Sequence, residues 1–164
     1  MADFLTPADR SGRMSRVRGK DTLPEVRLRR ALHQLGLRYR MNVGDLPGRP
    51  DLVFPRHRAV VFVHGCYWHR HEGCKAASTP ATNVDFWQAK FTRNIERDRQ
   101  ATRLLEASGW RVLVAWECEF RSEFRLKGFA KELADQIRRT GGRSGITVDR
   151  PSPGCDAPSS PLKA

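Results

Sequence analysis

The run Ala59-Val-Val-Phe-Val-His64-Gly-Cys66-Tyr-Trp-His69-Arg-His71-Glu-Gly-Cys74 changes character half-way along. Its first six positions are apolar almost throughout, as a central strand of an α/β sheet requires. From His64 onward two cysteines and three histidines crowd together, and the apolar pattern stops. A buried strand therefore runs straight into a loop of metal-ligand residue types. Thiolate and imidazole together suit tetrahedral Zn2+, and the close pairs Cys66/His71 and His71/Cys74 let one loop wrap an ion. Cys118 is the best fourth ligand, because it lies just past a second apolar strand that can run beside the first. Only one of His69 and His71 need bind zinc, which leaves the other free for proton transfer near neutral pH.

Working outward, Asp51-Leu-Val-Phe54 is a short strand entered from the turn-rich stretch GDLPGRP, and Leu37–Met41 is a candidate for an earlier one. Thr22-Leu-Pro-Glu25 has the pattern of a capping box, and Leu28, Ala31, Leu32 and Leu35 follow at helical spacing up to Gly36. Asn83 caps a helix carrying Phe86 and Trp87, a second helical run reaches Ser108, and Gly109 stops it. Trp110–Trp116 reads as a buried strand and Phe124–Arg139 as a closing helix. The element order predicts an α/β fold. Residues 1–20 read as a basic arm that orders mainly on a partner, 21–140 as the folded domain, and 141–164 as a disordered Pro/Gly/Ser-rich tail, where Cys155 is a poor metal ligand.

Thirty Lys+Arg against eighteen Asp+Glu leave a formal net charge of +12, which points to nucleic acid. No apolar run is long enough to span a bilayer, and the start lacks a basic-then-apolar signal pattern. The expectation is therefore a cytoplasmic, non-membrane protein whose thiols stay reduced.

Phosphodiester hydrolysis needs an activated water and stabilisation of charge on phosphorus, and carboxylates supply both by holding Mg2+. Asp51 at one strand start and His64 at an adjacent strand end form a plausible cradle for such an ion. Glu25 either caps its helix or adds an outer contact. Asp98 either holds a catalytic histidine in one tautomer or is an exposed helix carboxylate. Tyr67, Trp68 and Trp87 lie in or beside an otherwise polar loop and could wedge into a base stack; Trp110 and Trp116 read as core.

The segments RMSRVRGKDT (13–22), LPGRPDLVF (46–54), VFVHGCYWHRHEGC (61–74), TNVDFW (82–87), KFTRNIERD (90–98) and GWRVLVAWECE (109–119) resemble, in order and spacing, the very-short-patch repair (Vsr) endonucleases of bacteria. The resemblance implies a restriction-endonuclease-like mixed β-sheet flanked by helices, with a structural zinc site. That fold usually carries an acidic-x-Lys signature on its second strand, where this chain, like the family, has Phe62-Val63-His64. By resemblance Asp51 and the backbone carbonyl of Val63 would bind catalytic Mg2+. His69, supported by Asp98, would activate water, while His64 and Glu25 orient water around the metal. By the same resemblance Cys66, His71, Cys74 and Cys118 would hold zinc. Tyr67, Trp68 and Trp87 would recognise a T:G mismatch left by 5-methylcytosine deamination, and a monomer would nick 5′ to the mismatched T. Family members are linked to mismatch-repair proteins.

Three other readings compete. A zinc-stapled DNA-binding module leaves Asp51, His64, His69 and Asp98 without a shared purpose. An HNH-type nuclease should carry a metal-binding residue on the helix after the loop, yet no histidine follows His71. A double-strand restriction enzyme of the same fold is opposed by the aromatic wedge and the motifs.

Overall fold

The computed structural model describes residues 21–41 and 43–139. The expected basic arm (1–20) and tail (141–164) lie outside the described residues. The order is α1 (Leu23–Gln34), β1 (Leu52–Phe54), β2 (Ala59–His64), the one-turn helix α2 (Cys66–His69), α3 (Val84–Ala107), β3 (Arg111–Trp116) and α4 (Glu123–Arg138). The sheet is mixed, with β2 in the centre, antiparallel to β1 and parallel to β3. The parallel pair needs a long crossover, and α3 supplies it. The α/β reading with a mixed sheet holds.

Period-two alternation sorts the strands onto two faces. Leu52, Phe54, Ala59, Val61 and Ala115 pack with Leu28 and Leu32 of α1 and with Leu126, Ala130, Leu133 and Ile137 of α4. Val53, Val60 and partly buried Phe62 and Val112 pack with Leu105 of α3 on the other face. His64 continues the Val60, Phe62 series, so the strand itself aims His64 toward α3. Register pairs His64 with Trp116, which puts the carboxyl ends of β2 and β3 side by side. Open α/β sheets place their ligands at such ends.

Several local expectations change. Leu37–Met41 forms no strand; Arg40 alone bridges Val53, by hydrogen bonds of 2.8 and 2.9 Å. The two helical runs after Asn83 are one helix of 24 residues, because no Gly or Pro interrupts 84–107. Asn83 precedes that helix with a left-handed φ of 53° and makes no side-chain cap. Thr22 does not close a capping box either: its hydroxyl donates to the Glu25 carboxylate at 2.6 Å. That choice leaves Glu25 on the cleft side of the first turn. Trp110 and Trp116 are only partly buried: Arg58 lies 4.7 Å over the Trp110 ring, and Trp116 stacks on His71.

Candidate active site and metal cluster

A cleft of about 750 Å3 opens where α1, the 44–51 turn, the end of β2 and the middle of α3 meet. Glu25, Asp51, Val63, His64, His69 and Asp98 all line it. Residues far apart in sequence are brought together here by the sheet edge and the two helices.

Asp51 Oδ2 accepts from the Val63 N–H at 2.7 Å. Extending the β1–β2 register sets Pro50 opposite Val63, and proline has no N–H to offer. A residue's N–H and C=O lie on the same strand edge, so the Val63 carbonyl faces that edge with no ladder donor opposite. Burial pushes the Asp51 carboxyl up to about 6, against the pull of the Val63 N–H, and neighbouring Glu25 adds to the rise. A carboxylate and a carbonyl oxygen thus share one edge of the cleft, beside a second carboxylate. Hard oxygen donors of this kind suit a divalent cation, which would offset the clustered charge.

His69 and His64 stack with ring centroids 3.9 Å apart and 7° between planes. His69 Nδ1 lies 2.6 Å from Asp98 Oδ2, so an Nδ1–H proton is held there and Nε2 is left as the acceptor. Asp98 is therefore not a bystander among the helix arginines. Burial, with His69 adding to it, lowers His64 to about 4, so His64 is a neutral plate beneath His69 at physiological pH. His64, His69 and Asp98 also lie close enough to share an ion. Nearly parallel stacked imidazoles, however, aim their in-plane lone pairs alongside one another rather than at one point.

A second cluster abuts the first. The donor atoms of Cys66, His71, Cys74 and Cys118 all lie within 4.8 Å of one another and can hold a metal ion. His71 Nδ1 is 3.7 Å from Cys66 Sγ and 3.3 Å from Cys118 Sγ. A tetrahedral site with metal–sulfur distances of about 2.3 Å and metal–nitrogen of about 2.0 Å has sulfur–nitrogen edges of about 3.5 Å. The donor set and its spacing fit. Hydrogen bonding from Cys118 pulls the Cys66 thiol down to about 5, and the same contact raises Cys118. His71 rather than His69 belongs to this cluster, and Trp116 stacks on its ring at 4.2 Å.

Two residues that sequence reasoning passed over hold the loop in place. Glu117 Oε1 accepts from the Cys66 N–H at 3.1 Å, at the first turn of α2. Asn94 Nδ2 donates to the Trp68 carbonyl at 3.1 Å. Both stand inside quoted motifs, but nothing in their spacing reveals a partner 51 or 26 residues away.

The aromatic residues form one cluster. Tyr67 meets Trp68 at 5.0 Å and Trp87 at 5.9 Å, and Lys90 lies 5.1 Å over the Trp68 ring. Tyr67 and Trp68 are half-buried, whereas Trp87 is 6% exposed, and Phe86 beside it is 58% exposed.

The family described as DNA mismatch endonuclease Vsr matches residues 2–75 of this chain. DNA mismatch endonuclease Vsr of Escherichia coli strain K12 is 44% identical over 126 residues, covering 77% of this chain and 80% of the relative. The chain belongs to the Vsr family. Type II nicking enzyme V.XorIIP of Xanthomonas oryzae pv. oryzae is 43% identical over 135 residues, covering 82% of this chain and 98% of that protein. Type II nicking enzyme V.NmeAIP of Neisseria meningitidis is 39% identical over 141 residues, covering 84% and 100%. The matched Vsr segment ends at residue 75 and so takes in Glu25, Asp51, Val63, His64, His69 and three of the four cluster ligands. Among the described residues no helix is long and apolar enough to cross a membrane.

Proposed function

We propose that this Vsr-family chain is a DNA endonuclease of the bacterial cytoplasm that nicks one strand at a T:G mismatch, 5′ to the mismatched T, and so begins very-short-patch repair. The observation that carries the reading is the meeting, in one cleft, of the Asp51–Val63 oxygen pair with the His69–Asp98 pair. One edge suits a cation and the other suits proton transfer, which are the two needs of phosphodiester hydrolysis.

Asp51 and the Val63 carbonyl would hold the cation, in this reading Mg2+, which would offset charge on the phosphate and lower the pKa of a water. His69 Nε2 accepts a proton from the attacking water, and Asp98 stabilises the imidazolium that results. His64, neutral and stacked on His69, fixes the plane of the ring and adds no competing charge. Glu25, braced by the Thr22 hydroxyl, orients water on the α1 side of the cleft. Cys66, His71, Cys74 and Cys118 would hold Zn2+, and four protein donors are the set that suits a structural rather than a catalytic zinc. That site pins both ends of the loop bearing His69, Tyr67 and Trp68. We read the sheet with its flanking helices as the restriction-endonuclease-like core that the family motifs imply.

Tyr67 and Trp68 stand ready to enter a weakened base step, where unstacking costs only a few kcal/mol. Trp87 joins them only if the aromatic cluster opens, since it is buried here. The chain's excess of Arg and Lys supplies sequence-independent affinity for phosphates.

The test is a nicking assay with Mg2+ on end-labelled duplexes differing by one T:G pair. A single nick 5′ to the mismatched T, abolished by Asp51→Ala although that variant still binds, supports the reading. Tight binding by the wild type without cleavage of either duplex would replace it with a zinc-stapled binding module.

A further inference from the structure

The turn that carries Asp51 into the cleft contains a residue in a conformation it should avoid. Leu46-Pro47-Gly48-Arg49 closes with the Arg49 N–H donating to the Leu46 carbonyl at 3.1 Å. Gly48, at φ +72°, sits where a type II turn wants glycine. A Cβ on Gly48 would stand 2.5 Å from Ala101 Cβ and 3.2 Å from the Phe62 ring, so the turn is pressed against α3 and β2. Arg49 then takes φ 51°, also left-handed. An L-residue disfavours that region, and the residue before a proline is pushed toward extended backbone, so Arg49 is out of place on both counts. Such conformations persist where the surrounding structure enforces them, and they cluster at functional sites.

Three arginines among the described residues have a positive φ, and two have evident occupations. Arg58 donates to the Ser108 carbonyl and lies over Trp110. Arg70 donates to the Ser78 carbonyl and the Thr79 hydroxyl and lies over Phe91. Arg49 is exposed and lines the cleft two residues before Asp51, and its guanidinium has no hydrogen-bond or ion-pair partner among the described residues. Arg29, another cation of the cleft, is by contrast tied to Asp21.

We propose that Arg49 is a phosphate clamp, its guanidinium gripping the backbone of the nicked strand so that the reacting phosphodiester is held against Asp51. This rests on the nuclease reading. A planar fork of donors suits paired phosphate oxygens, which a lysine ammonium meets only as a point charge. The strained backbone fixes where that fork starts, at the lip of the cleft rather than on a free helix surface.

The test compares wild type with Arg49→Gly and Arg49→Lys on the mismatched duplex. Glycine accepts the left-handed conformation, so Arg49→Gly should melt within a few degrees of wild type while single-turnover nicking falls about ten- to a hundredfold. Arg49→Lys should keep near wild-type binding yet nick several-fold more slowly. In a salt titration of duplex binding, the slope of log Kobs against log salt should drop by about one for Arg49→Gly. Wild-type nicking by Arg49→Gly, or an unchanged salt slope, overturns the assignment. Failure of the nuclease reading would show separately, as a wild-type chain that does not nick, while the salt slope still reports on the Arg49 contact.

Discussion

Replacing Asp98 by asparagine tests the His69 pair most sharply. The Asp98 carboxylate lies 2.6 Å from His69 Nδ1, with the two side chains 28% and 26% exposed. In the ground state it fixes the tautomer, and as His69 takes a proton it becomes the partner of an imidazolium. A hydrogen bond to a charged group contributes about 1.5–3 kcal/mol. Loss of that contribution alone, as in Asp98→Ala, should slow the chemical step roughly 10- to 150-fold. Asparagine should do worse. Its amide can turn an NH2 toward Nδ1, which favours the tautomer with the proton on Nε2, and the water-facing nitrogen then has no lone pair. The comparable change in a serine protease triad costs about four orders of magnitude. Neither Asp98 nor His69 is asked to hold DNA, so the equilibrium constant for duplex binding should stay within about twofold. The assay is single-turnover nicking of an end-labelled T:G duplex at saturating protein, with binding measured in parallel. Nicking by Asp98→Asn within threefold of wild type, or faster than by Asp98→Ala, would refute the tautomer argument.

Other expectations concern the metal cluster, the buried carboxyl and the aromatic loop. Cys118→Ser removes one of four clustered donors and should lower both bound zinc and stability, the latter by upward of about 4 kcal/mol; metal analysis and a melting curve identical to wild type would sink the ligand assignment. Burial raises Asp51 to about 6, so in Mg2+-free buffer the wild type loses stability as pH rises toward and through that value. Asp51→Asn escapes this loss, and its melting advantage should open between pH 4 and 6 and level off above, at about 1–3 kcal/mol; an advantage independent of pH would show that Asp51 ionisation is not its source. Trp68→Ala should cost the preference for mismatched over matched duplex about tenfold, with smaller loss of binding to matched duplex. Equal loss on both duplexes would reduce Trp68 to a packing residue of the Tyr67–Trp87 cluster.

What could be read from the chain divides along physical lines. The β2 strand was legible because a run of Ala, Val and Phe has few other places to go, and its parallel partner followed from Trp110–Trp116. Cys118 was reachable by the same logic, since among the described residues that strand is the one that returns a thiol to the end of β2. Local side-chain competition was not legible. Thr22 and Glu25 carry the pattern of a capping box, but the hydroxyl donates to the carboxylate, and Glu25 turns toward the cleft. The continuity of helix 84–107 is not legible either, because few of its residues mark an apolar face: only Trp87, Phe91, Ala101 and Leu105 are buried.

Arg49 belongs to a third class, set by packing on both sides of it. Gly48 announces a turn, and Pro50 announces extended backbone, yet neither predicts a left-handed arginine between them. The cause lies on α3, where the small side chain of Ala101 lets Gly48 press in so closely that a Cβ on Gly48 would stand 2.5 Å from Ala101 Cβ. A bulkier residue at 101 would push the turn out and carry Asp51 away from the Val63 N–H. The geometry of the carboxylate in the cleft therefore depends on an alanine with no chemistry of its own, which pattern reading along the chain has no means to select.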